Sequence, residues 1–139
     1  MGQQQLLLIV LGVIIVGVAI VAGIGMFNAN AEEAVKDELV SQCVAIGAHA
    51  QEMYKKPVAM GGLGLDFTGG SGGYIIPLRM TATLNCGTIG ADGVPTTAGY
   101  LAAVAAQQVT VTATPNTTLG YDWTVTATVT PDNITTVVE

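Results

Sequence analysis

The chain has 139 residues; half are hydrophobic, a tenth are charged, and ten acidic against four basic residues leave a formal net charge of -6. Such a surface has no electropositive track for a phosphate backbone, so nucleic-acid binding is disfavoured. Beyond the N-terminal third there is room for one small domain, whose core alone is marginal without a partner surface or a staple.

The first predicted element is the uncharged apolar run LLLIVLGVIIVGVAIVAGIGM, residues 6 to 26. As a helix rising about 1.5 Å per residue it spans roughly 30 Å, the thickness of a bilayer's hydrocarbon layer. The run crosses a membrane, resides in one, or buries itself against copies of the chain. A secretory signal fits poorly, because Met1 to Gln5 carry no Lys or Arg and the run exceeds the usual apolar stretch of about 7 to 15 residues. Asn28, Ala29, Asn30 and Ala31 still make a passable small-residue cleavage site. A plain anchor without a basic flank lacks an orientation signal, which predicts that a basic segment preceded the run and was removed.

Gln3 to Lys56 reads as one continuous helix. Val35, Leu39, Cys43, Ile46, Ala50, Met53 and Tyr54 recur at spacings of three and four and form one apolar stripe. Asp37, Glu38, Glu52, Lys55 and Lys56 lie opposite. Glu32 with Lys36 and Glu52 with Lys56 are i,i+4 pairs in the favourable order. Pro57 ends the helix by restricting Lys56 and removing a donor. The organisation is an apolar half-helix over 1–31, an amphipathic half over 32–56 and a loop-and-sheet domain over 57–139, the helix being a rod of about 80 Å.

Seven glycines between Gly61 and Gly73 follow. No Gly-Lys-Ser/Thr ending marks a phosphate loop, so the stretch reads as a surface loop bridging helix and sheet. Tyr74 to Leu78 and Met80 to Cys86 are short β-prone runs, and 96 to 106 fits a helical turn or a strand. Gln108 to Thr114 and Trp123 to Thr130 alternate apolar residues with threonine and, joined by Pro115 to Gly120, read as an antiparallel hairpin with one face buried. Ile134 to Val138 adds a last strand. The fold class is α+β: a long N-terminal helix whose amphipathic second half packs on a small C-terminal antiparallel sheet.

Cys43 lies on the helix stripe that faces the domain, and Cys86 follows a strand. A bridge between them would staple helix to sheet across a loop of about 43 residues, worth roughly 4 kcal/mol on the loop-entropy estimate, and an extracytoplasmic location permits it. Two buried thiols are the alternative. Metal binding is disfavoured, since the lone His49 and the two cysteines share no ligand spacing. Catalysis finds little support either: Ser41 and Ser71 lack a nucleophile setting, and Asp66, Asp92, Asp122 and Asp132 read as turn residues. No Cys-x-x-Cys-His motif exists for a c-type haem. The expectation is a protein without cofactor or enzymatic activity.

An all-round apolar N-terminal half-helix, its amphipathic continuation and a C-terminal antiparallel sheet resemble the architecture of type IV pilins. The resemblance spans the whole layout, while its sequence-specific part is confined to about the first 30 residues. It implies a short basic leader cut by a prepilin peptidase, a methylated N-terminal residue at Met1, residence in the inner membrane, and assembly with copies of itself and the pilus machinery into a cell-surface filament. The family's usual fifth residue is a glutamate that answers a neighbour's amine. Here it is Gln5, which can accept a hydrogen bond but supplies no countercharge. The family's phenylalanine start and its proline near position 22 are also absent.

A physical case for polymerisation stands beside the resemblance. Gly12, Gly17, Gly23 and Gly25 with Ala19 and Ala22 line the run with small residues, and the Ala19/Gly23 and Gly25/Ala29 spacings let helix backbones approach. Taking the run out of water is worth roughly tens of kcal/mol, a gain that, outside a bilayer, only a bundle of such helices realises. Gln5, Gly12, Val16, Ala19 and Gly23 are the predicted subunit contacts. The expected function is therefore the structural subunit of a type IV-like extracellular filament, with a pseudopilin or minor pilin, or a single-pass membrane protein presenting a small binding domain, as alternatives. Asn116-Thr117-Thr118 and Asn133-Ile134-Thr135 match the N-x-Ser/Thr glycan acceptor pattern.

Overall fold

The computed structural model describes residues 2–69, 73–77, 80, 100–115 and 119–139, with Tyr100 and Leu101 described by backbone alone. Helix α1 runs Gly2–Lys55 without a break over 54 residues, within one residue of the predicted span at each end. A short 3-10 turn, Val58–Met60, follows Pro57. Four strands complete the order: β1 Tyr100–Ala105, β2 Gln108–Ala113, β3 Val125–Val129 and β4 Ile134–Val138. The chain divides into two compact units, Met1–Ala34 and Val35–Glu139. The second is called the head below.

In the head, the strands form one antiparallel sheet in the order β1-β2-β3-β4. Because successive side chains on a strand point to opposite faces, the threonine alternation sorts this sheet cleanly. Val109, Val111 and Ala113 of β2 and Val125, Ala127 and Val129 of β3 are fully buried. Their registers pair Val109 with Val129, Val111 with Ala127 and Ala113 with Val125. The other face carries Thr110 opposite Thr128, Thr112 opposite Thr126 and Thr128 opposite Thr135. The second part of α1 packs on the apolar face through Val35, Leu39, Cys43, Ile46, Ala50 and Tyr54, which join the strand residues in one core. Gly47 marks the closest approach: a Cβ there would sit 2.9 Å from Val129 Cγ2 and 3.2 Å from Ile134 Cδ1. The α+β arrangement expected from the sequence is the one observed.

The ambiguous stretch 96 to 106 resolves, in its described part, to strand β1, paired with β2 from Tyr100↔Ala113 to Ala105↔Gln108. Its two-residue turn, Ala106-Gln107, has no glycine or asparagine of the kind hairpin turns favour. Contacts from outside the hairpin hold it instead. Phe67 N donates to Ala106 O (3.0 Å), Tyr54 Oη donates to Gln107 Oε1 (2.8 Å), and Gln107 Nε2 donates to Leu65 O (3.5 Å).

The predicted strand Tyr74 to Leu78 is corrected in its described part. Tyr74 to Pro77 form no strand: Tyr74 N donates back to Phe67 O (2.9 Å) and its hydroxyl reaches α1, so the segment is tied to loop and helix rather than to a ladder. Met80 closes a turn by donating to Pro77 O (2.9 Å) instead of opening a strand, and Thr81 to Cys86 lie outside the described residues.

The glycine loop has a specific task. An α-helix leaves its last four carbonyls unsatisfied; here Leu63 N donates to Met53 O (2.8 Å), Leu65 N to Tyr54 O (2.9 Å) and Gly64 N to Lys56 O (3.1 Å). The chain turns back on the helix end at Gly61 and Gly64, with φ of 77° and 70°, a region where glycine costs least. Gly62 lies so close to Lys56 O that no side chain fits there. Phe67 then plugs the core against Tyr54, ring centroids 4.6 Å apart. The glycines thus cap a helix and admit a backbone to it.

Candidate functional site

From Leu6 to Phe27 every large apolar side chain is 49% to 77% exposed, so this surface is not part of the chain's own core. The unbroken helix satisfies its own backbone hydrogen bonds and its aliphatic side chains face outward on all sides, which is what a helix in lipid or in a dry bundle requires. By length and composition α1 is the one described helix able to cross a membrane. The predicted contact residues Gln5, Gly12, Val16, Ala19 and Gly23 all lie on it. A Cβ at Gly12, Gly17, Gly23 or Gly25 would meet nothing within 4 Å, leaving those positions open to another backbone. Gln5 is exposed, and the first turn holds no acidic residue. Met1 lies outside the described residues.

In the head, Cys43 is fully buried on the sheet-facing side of α1. Cys86 lies outside the described residues, as does Asn116. Asn133 sits exposed in the β3–β4 turn, where its carbonyl accepts from Thr130 N (2.8 Å) and its own Oδ1 accepts from Ile134 N (2.9 Å). The side-chain amide nitrogen, the atom a glycan would occupy, is left without a bond among the described residues. Asp66, read as a turn residue, makes an Asx turn: its Oδ1 accepts from Thr68 N (2.8 Å) and Thr68 Oγ1 (2.6 Å), and these bonds hold the carboxyl below its ordinary range.

Sequence reasoning missed a groove of about 690 Å³ between α1 and the glycine loop, with His49, Met53, Val58, Leu63, Tyr74 and Ile75 among its walls. Tyr74 Oη donates to Ile46 O (3.1 Å) and lies 3.1 Å from His49 Nδ1. Burial holds the phenol well above its ordinary pKa, so it stays a neutral donor. The one signal that could have located this groove was the helical spacing of His49 and Met53, four residues apart. Among the described residues no three His, Cys, Asp or Glu side chains cluster. No family model, curated protein or solved structure matches the chain.

Proposed function

We propose that this chain is a structural subunit of a type IV-like extracellular filament, held in the inner membrane by its apolar helix before assembly and polymerising through the same helix. The supporting observation is the uninterrupted apolar exposure from Leu6 to Phe27 on the same helix whose continuation seats a sheet whose outer face is rich in threonine. Burying that surface among helices of other copies recovers roughly tens of kcal/mol. Gly12, Ala19 and Gly23 let those helices approach, and Gln5 accepts a hydrogen bond from a neighbour's terminal amine. In the finer form of this reading, a prepilin peptidase exposes Met1 for methylation, Cys43 and Cys86 form a bridge, and the threonine face makes the filament's polar coat.

Electron microscopy of material sheared from producing cells tests the reading. Abundant thin filaments whose mass spectrum is dominated by this chain are expected. Recovery of the chain solely with membranes would overturn the filament and leave a single-pass anchor presenting the head.

A further inference from the structure

We propose that His49 Nε2 and Met53 Sδ form a binding site for a soft monovalent cation, copper(I) or silver(I), in the groove between α1 and the glycine loop. It stands independently of the filament reading.

The bonding around Tyr74 fixes the imidazole. Ile46 O can only accept, so the Tyr74 hydroxyl proton points there, and the 3.1 Å contact with His49 is then made by Nδ1–H donating to the phenol oxygen. A neutral imidazole with its proton on Nδ1 presents a lone pair on Nε2. That atom has no hydrogen-bond partner among the described residues, and His49 is only partly buried. Orienting a ligand histidine through its other nitrogen is the usual outer-shell device of metal sites. Tilted packing on Tyr74, at 5.8 Å between centroids, further limits ring rotation.

Met53 follows one turn later on the same helix, where residues four apart are neighbours, and it lines the same groove. Thioether and imidazole together select for soft ions; carboxylate or carbonyl sets would suit hard ones. Among the described residues, the groove walls carry no Asp, Glu, Lys or Arg. These described walls offer a divalent hard cation no carboxylate cage and place no lysine to repel a monovalent one. Val58, Leu63 and Ile75 supply apolar walls that shield a low-coordinate metal from water.

The test is titration of the full-length chain in detergent micelles with silver(I), a redox-inert probe, read by NMR of methionine methyl and histidine ring signals. The Met53 methyl and the His49 ring should shift together and saturate at about one equivalent, with Met60, outside the groove lining, unmoved. His49→Ala should abolish the Met53 response, and the volume-conserving Met53→Leu should abolish the His49 response. Tyr74→Phe should weaken binding about tenfold. Absence of a Met53 shift, or a Met53 shift that survives His49→Ala, would show that silver binds elsewhere and overturn the site.

Discussion

The two units of this chain use the same residue types to opposite ends. In the first, valine, isoleucine and leucine surround the helix and stay exposed; in the head, valines alternate with threonine and vanish into a core. Glycine differs in the same way. At Gly12 and Gly17 an added Cβ meets open space, while at Gly47 it meets Val129 and Ile134. Composition is therefore a poor guide to role, and arrangement a good one. Apolar residues at every position on a helix need a partner outside the chain, whereas those at period two or at spacings of three and four find it within.

The comparison breaks most visibly if a charge enters the first unit. Val16→Asp places a carboxylate among apolar neighbours in any assembled bundle or bilayer, where desolvation without a partner is prohibitive. Filaments should disappear by electron microscopy while the head keeps its protease resistance. Loss of both would show that the units are not independent.

Next come truncations of matched size. Leu39 is fully buried and Ile14 is 57% exposed. Leu39→Ala should cost the head about 2–5 kcal/mol in denaturant unfolding, and Ile14→Ala should leave head unfolding unchanged. A bridge from Cys43 to Cys86 would contribute on a similar scale, about 2–4 kcal/mol. With the bridge intact, denatured and unreduced chain should take up no maleimide, and two labels per chain would rule it out.

The long helix was legible because its two signals are strong: an unbroken apolar run, then a stripe at 3.6-residue period ended by Pro57. Strands β2 and β3 were legible through threonine alternation, and β4 through its run of β-branched residues. Strand β1 was not, since alanine-rich YLAAVA has weak β preference and its Ala-Gln turn is held by Phe67, Tyr54 and Gln107 bonds that no local pattern encodes. Tyr74 to Pro77 misled for the converse reason. Its residues are β-prone, yet its bonds go to loop and helix. Gln5, Val16 and the small residues could be proposed as an assembly face from sequence because they lie on one contiguous segment. The His49 groove is built from three separated segments, so only the i,i+4 pair was visible.

Glycine substitutions sharpen the contrast at smaller scale. Gly47→Leu forces a side chain into Val129 and Ile134 and should destabilise the head by about 1–3 kcal/mol. Gly17→Ala should instead favour the helical state of the first unit by up to about 1 kcal/mol, with head unfolding unaltered. Circular dichroism of the full chain in micelles reads the second effect and denaturant titration the first.

The smallest effect belongs to Asp66, whose role is local to the loop that caps α1. Two hydrogen bonds from Thr68 stabilise its charged form, chiefly the hydroxyl bond, and lower its pKa from the ordinary 3.8. A carboxyl whose folded pKa is depressed adds stability that is present above its unfolded pKa and lost as the pH falls through the folded value. Asp66→Asn should therefore lower head stability slightly at neutral pH, and the gap between parent and variant should close as the solution is acidified below the ordinary carboxylate range. Thr68→Ala, which removes the larger cause, should reproduce the same pH profile. Residues 2–31 hold no acidic side chain, so the helical content of that stretch should not change over the same interval. A stability gap that widened in acid would mean that Asp66 acts through repulsion, not through the Thr68 bonds.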